Sequence, residues 1–365
     1  MQPDRITLNK ARLQCRAKSC PIRVMIVDDS LTVRTVFSRV VESDPALQVA
    51  GTANSAEQAI DQLSRIDVDV ILLDLEMPGM GGLEALPKIL DTTKNPHVLV
   101  VSSLTEDGAE HTLAALSMGA ADTLQKPLSG GFGKDYRAML LDKIKALGQA
   151  EPISDQADRS PITARSQGYS KRPEVIAIGA STGGIHALNI MLRALPQNFA
   201  LPILVTQHLP ASFTPVFARQ LGIASARRTR IAGHGTPIRS GDILIASGDA
   251  HMEVQRGPDG FQTVLSTHPS RSGCLPSVDP MLDSLATASD GHALAVILSG
   301  MGNDGVSGAK SLVEKGGAVI VQDAETSAVW GMPGAVSKAN LASAVLPPEK
   351  LAKAIVDRAG AAAWK

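Results

Sequence analysis

Short, almost wholly apolar runs recur along this chain, separated by stretches with apolar residues three and four positions apart. That alternation limits the possible folds more than any other feature. The runs VMIVD (24–28), QVAGTA (48–53), DVILLDL (69–75), HVLVVSS (97–103) and DTLQKP (122–127) read as strands. Between them LTVRTVFSRVVES, AEQAIDQLSR, GLEALPKIL and GAEHTLAALSMG each line up one apolar helix face, and a further helix is expected at about 134–147. Strands without a polar face, alternating with such helices, require a parallel sheet covered on both sides. The pattern lapses over 149–172, which is rich in Ser, Pro, Gln and charge and reads as a linker. It resumes with VIAIGAS (175–181), LPILVTQ (201–207), DILIAS (242–247), ALAVILSG (293–300) and AVIVQD (318–323). Helices are expected around 184–194, 212–221, 280–288 and 306–316. The expected class is α/β, with two doubly wound parallel-sheet domains at 22–148 and 173–360. Residues 1–21 show no period and read as a disordered N-terminal extension.

Composition narrows the function. Lys and Arg number 35 against 36 Asp and Glu in 365 residues, so the basic footprint of a nucleic-acid-binding domain is missing. The one basic cluster, RRTR (227–230), reads as a solvated face or a substrate-docking edge. Ten aromatic residues leave little for a base-stacking platform. No apolar run reaches the roughly 18–20 residues of a membrane span, and no secretory signal is seen, so a cytoplasmic setting is expected. Three cysteines make no disulfide framework; Cys15 and Cys20 lie in the leader, and Cys274 reads as an incidental thiol.

In the first domain the chemistry gathers at strand ends. Asp28 and Asp29 close the first strand and Asp74 the third, while Ser102 ends the fourth and Lys126 the fifth. Carboxyl ends of neighbouring parallel strands converge on one crevice. Three carboxylates there repel one another unless a hard cation such as Mg²⁺ lies between them.

In the second domain GASTG (179–183) puts Ser181 on a glycine-flanked strand-to-helix turn, the pattern of a nucleophile elbow and equally of a phosphate or dinucleotide turn. His208 follows the strand LPILVTQ, and Asp304 stands in SGMGNDG (299–305) before a helix. A serine nucleophile needs a base, and imidazole needs a carboxylate to fix its tautomer. Asp304 could equally cap its helix, and amides near Met301 and Gly302 could form an oxyanion hole.

Residues 23–147 resemble a two-component receiver domain through VDDS (27–30), LLDLEMPGMGGLEAL (72–86), VVSSL (100–104) and QKP (125–127). The resemblance implies a flavodoxin-like fold with Asp74 as phosphoacceptor, Mg²⁺ held by Asp28, Asp29 and Asp74, and Ser102 and Lys126 as switch residues. It also implies a cis bond before Pro127. Gly81 stands where receivers commonly carry Asp or Asn, and glycine there tolerates positive φ. Residues 173–350 resemble the effector domain of the CheB methylesterase family through IGASTGGIHAL (178–188), VTQHLP (205–210), ILIASGD (243–249), PSVD (276–279), LSGMGNDG (298–305) and VWGMPGA (329–335). This implies a Rossmann-like catalytic domain with Ser181, His208 and Asp304 as the triad, Met301 amide in the oxyanion hole and Thr182 supporting the histidine. The implied activity is hydrolysis of glutamate methyl esters on methyl-accepting chemotaxis receptors, with glutamine deamidation beside it. The esterase chemistry needs no cofactor, and the implied phosphodonor is the CheA histidine kinase. RSGC (271–274) departs from the His-Arg pair usual before PSVD, so Arg271 and Cys274 stand where substrate contacts are expected. The alternative is a response regulator whose second domain is a non-enzymatic nucleotide- or DNA-binding output module.

Overall fold

The computed structural model describes residues 20–92, 97–102, 106–126, 132–149 and 171–360. The expected N-terminal extension, the linker and Pro127 lie almost wholly outside these residues. By contact the chain divides into two units, Met1–Leu104 with Asp122–Gln149 and Thr105–Ala121 with Ala150–Lys365.

The first sheet is parallel and five-stranded. It comprises β1 (Ile22–Val27), β2 (Leu47–Ala53), β3 (Val70–Asp74), β4 (His97–Ser102) and β5 (Asp122–Gln125), in the order β2-β1-β3-β4-β5. Every residue of β3 is buried, as a central strand apolar on both faces must be. The helices α1 (Leu31–Glu42), α2 (Ala56–Leu63), α3 (Gly82–Thr92), α4 (Glu106–Met118) and α5 (Lys134–Gly148) alternate with the strands in the chain. Ser30 caps α1 by accepting from Val33 N at 3.4 Å, so the helix starts directly after the Asp28–Asp29 strand end. The β1–β3 neighbour pair brings Asp28 and Asp74 to one edge.

The second sheet holds seven parallel strands. Six are β6 (Val175–Ala180), β7 (Ile203–Gln207), β8 (Thr229–Ile231), β9 (Ile243–Ile245), β12 (Ala293–Ile297) and β13 (Ala318–Gln322); the seventh is β14 (Ala344–Leu346). A separate antiparallel hairpin pairs β10 (His251–Gly257) with β11 (Gly260–Ser266). The sheet order is β14-β13-β12-β6-β7-β9-β8, so β6 lies between β12 and β7 although more than 100 residues separate β6 from β12 in the chain. The associated helices are α6 (Gly184–Ala194), α7 (Thr214–Ser225), α8 (Val278–Ala288), α9 (Val306–Glu314), α10 (Met332–Lys338) and α11 (Pro348–Ala359). No helix among the described residues is long and apolar enough to cross a membrane.

In the 78–82 loop the residue with positive φ is Gly79, at φ +80°. One expectation needs correction. The basic run 227–230 is a solvated face only in part: Arg228 is exposed, but Arg227 is buried and donates to the Phe199 carbonyl at 2.8 Å and to the Pro196 carbonyl, and Arg230 pairs with Asp242 at 2.8 Å. These arginines close the polar edge around β8, where a charged residue survives burial only by finding partners. The hairpin and β14 escaped the sequence reading because their residues alternate in burial or are only half covered, which leaves a weaker apolar signal.

Candidate functional site

In the first unit, Lys126 Nζ lies 2.6 Å from Asp74 Oδ2 and 3.3 Å from Asp28 Oδ2. Asp74 and Asp28 are buried. Burial pushes the Asp74 carboxyl up to about 6 against the opposing pull of Lys126. Oxygens of Asp28, Asp29 and Asp74 lie within 4.8 Å of one another. Asp28 Oδ1 is taken by Ser30 N at 2.9 Å, and Asp74 Oδ1 by Glu76 N at 3.1 Å. Asp28 Oδ2 is buried, with Lys126 as its ion-pair partner. This all-oxygen donor set of three carboxylates fits Mg²⁺. The Ser102 hydroxyl, on the neighbouring strand β4, is likewise buried and makes no hydrogen bond among the described residues.

In the second unit, the three strand-end residues expected to act together sit on adjacent strands β12, β6 and β7. The Ser181 turn is stitched to both neighbours. Ser181 N donates to the Ser299 carbonyl at 3.0 Å, Gln207 Nε2 donates to the Ser181 carbonyl at 3.0 Å, and His208 N donates to the Ala180 carbonyl at 3.0 Å. Ser299 Oγ donates to the Thr182 carbonyl at 2.7 Å, which ties the elbow to the loop after β12. Gly183 makes the turn at φ +76°, and a Cβ there would lie 2.6 Å from Ala328 Cβ and 2.7 Å from Ser299 Oγ.

His208 Nε2 lies 2.8 Å from Asp304 Oδ2. No hydrogen bond joins Ser181 Oγ to His208 among the described residues. Burial pulls the His208 imidazolium down, but Asp304 and the Cys274 thiol outweigh it and hold it up at about 9. Burial would raise Asp304, yet His208, Ser277 and the Val278 amide bring its carboxyl down to about 2.

The residues holding Asp304 were missed in the sequence, although PSVD contained them. Ser277 Oγ donates to Asp304 Oδ1 at 2.6 Å and Val278 N donates to Asp304 Oδ2 at 2.7 Å. The carboxylate therefore sits at the N-terminus of α8, where unpaired amides and the helix dipole favour negative charge. Asp304 is not the cap of its own helix α9, whose N-cap is Gly305. Met301 is half-exposed, and its amide donates to no backbone carbonyl among the described residues. Gly300 packs so tightly that a Cβ there would lie 2.8 Å from Ser181 Cβ. Arg271, from the departing RSGC stretch, donates to Ser307 Oγ at 3.1 Å. Cys274 is no isolated thiol: its sulfur belongs to a cluster with ligand atoms of His208 and Asp304, all within 4.8 Å of one another.

Residues 176–355 match the CheB methylesterase family and residues 24–131 the response regulator receiver domain. The chain is 42% identical over 344 residues to protein-glutamate methylesterase/protein-glutamine glutaminase 2 of Caulobacter vibrioides, covering 93% of this chain and 99% of the relative. It is 41% identical over 366 residues to protein-glutamate methylesterase/protein-glutamine glutaminase 1 of Rhodospirillum rubrum, covering 91% and 94%. The crystal structure of the Thermotoga maritima CheB methylesterase catalytic domain aligns with 51% of this chain and 98% of that one at 35% identity, with a TM-score of 0.49.

Proposed function

Because this chain belongs to the CheB methylesterase family and carries a receiver domain ahead of the methylesterase domain, we propose that it is a phosphorylation-regulated protein-glutamate methylesterase. Its substrates are glutamate γ-methyl esters on the cytoplasmic signalling helices of chemotaxis receptors, and it deamidates selected receptor glutamines. The His208–Asp304 bond of 2.8 Å, beside the Ser181 turn, carries the catalytic half of this reading. With Nε2–H donated to the carboxylate, His208 Nδ1 is the nitrogen left to take the Ser181 proton. Ser181 Oγ then attacks the ester carbonyl, and the oxyanion rests on amides near Met301. The imidazolium protonates the departing methoxide, giving methanol and an acyl-serine. Water, deprotonated by His208, releases the glutamate carboxylate and restores Ser181. In deamidation the leaving group is ammonia. Thr182 steadies the elbow through its carbonyl bond to Ser299.

The regulatory half rests on the ion pair between the buried Asp74 and the half-buried Lys126. Asp74 accepts the phosphoryl group from a histidine kinase, and by family that donor is CheA. Asp28, Asp29 and Asp74 would hold Mg²⁺, which offsets charge on the phosphoryl oxygens when bound. Lys126 orients the same group, and Ser102 closes on it. The domain assignment that goes with this function is a receiver at 22–148, a linker at 149–172 and a catalytic domain at 173–360.

The test is methanol release from membranes bearing methylated receptors. Wild type is expected to release methanol faster with a phosphodonor and Mg²⁺. Asp74→Ala should lose that stimulation and Ser181→Ala should lose release itself. Full release by Ser181→Ala would overturn the catalytic assignment. The output-module alternative predicts no dependence on His208 or Asp304, and the two relatives at about 40% identity are both named as enzymes.

A further inference from the structure

Two ligand clusters of opposite chemical character lie among the described residues. The Asp28–Asp29–Asp74 set offers oxygen alone, whereas the second set combines an imidazole nitrogen, a thiol sulfur and a carboxylate oxygen from His208, Cys274 and Asp304. All three ligand atoms of the second set lie within 4.8 Å of one another, and Asp304 is buried while the other two are half-buried. Three side chains of this kind match a zinc site that keeps its fourth position open. Thiolate ligands select zinc-like ions over Mg²⁺.

We propose that His208, Cys274 and Asp304 form an inhibitory site for a thiolate-preferring divalent cation, with Zn²⁺ the fitting ion. Binding replaces the His208–Asp304 hydrogen bond with metal–ligand bonds; the Cys274 thiol proton and the second proton of the imidazolium form pass to solvent, and the imidazole stays neutral with its one proton on the nitrogen that does not bind the metal. The imidazole then has no hydrogen bond to its carboxylate and is clamped away from Ser181, so ester hydrolysis stops until the ion leaves. The inhibition rests on the reading of His208 as the base. The site makes the esterase sensitive to zinc while the Mg²⁺ used by the receiver leaves it untouched.

The test uses full-length, chelator-treated and reduced protein carrying Cys15→Ser and Cys20→Ser, which removes the leader thiols. Co²⁺ alone is titrated in and the near-ultraviolet thiolate-to-cobalt absorption is followed. One equivalent is expected to develop this band, and adding Cys274→Ser or Cys274→Ala is expected to abolish it. Methanol release is then titrated with Zn²⁺, each protein normalised to its own metal-free rate. The half-inhibitory Zn²⁺ concentration should rise about tenfold or more on loss of Cys274, since even outer-shell changes at metal sites cost about 10–100-fold. A band that is absent from the parent protein or persists in both Cys274 variants overturns the site. Equal zinc inhibition of parent and variants does the same. A Cys274-dependent band with full hydrolysis by the loaded protein overturns the inhibition, and with it the assignment of His208 as the base.

Discussion

Ser277 Oγ donates to Asp304 Oδ1 at 2.6 Å, a buried bond between the first residue before α8 and the carboxylate that faces His208. It makes the PSVD segment a support for the proposed esterase site as well as a helix start.

Ser277→Ala is therefore expected to act in two separable ways. Loss of the α8 cap should cost roughly 1 kcal/mol in denaturant unfolding. Loss of a hydrogen bond to a charged group, about 1.5–3 kcal/mol, should lower kcat/KM about tenfold or more. It should also move the pH profile, because Asp304 then holds its charge less well. Reduced stability with an unaltered pH–rate profile would leave Ser277 as a cap alone.

The pH dependence follows from His208. Its conjugate acid is held up at about 9, so at neutral pH most of the imidazole is protonated and cannot accept the Ser181 proton. Activity of chelator-treated protein should rise with pH and level off only above about 9. Cys274→Ser removes one of the groups that raise His208, and its limb should move to lower pH. A profile already flat from pH 7 would contradict this.

Gly300 tests how closely the strand ends are packed. A Cβ at this position would lie 2.4 Å from Met332 Sδ and 2.8 Å from Ser181 Cβ. The thioether can swing aside, but the serine turn has little room. Gly300→Ala should keep a native far-ultraviolet CD spectrum and lose about 100-fold in kcat, the scale of a displacement of about 1 Å. Wild-type turnover in this variant would show that the turn yields freely.

Lys126 holds two buried carboxylates together, at 2.6 Å from Asp74 and 3.3 Å from Asp28. Lys126→Ala leaves them repelling one another. The variant should label poorly with a small-molecule phosphodonor, and Mg²⁺ should raise its melting temperature more than that of wild type. Equal Mg²⁺ shifts in thermal unfolding would separate the lysine from the cation site.

Much of this protein was legible in one dimension. Apolar runs on both faces demanded parallel sheets, and the residues just after them, Asp28, Asp74, Ser181 and His208, were marked as chemical because parallel strands all end on one edge. Short-range pattern sufficed there, since strand, turn and helix start are local events. What the tertiary structure alone decided depends on contacts between distant segments. The placement of β6 between β7 and β12 brings Asp304 to His208 across 96 positions, and the start of α8 brings Ser277 and Cys274 to the same carboxylate and imidazole. Arg227 looked like a solvated charge until its carbonyl partners 28 and 31 residues away were in place. No periodicity encodes such meetings, because they are fixed by which strands pair and by how buried polar groups find partners once the sheets have formed.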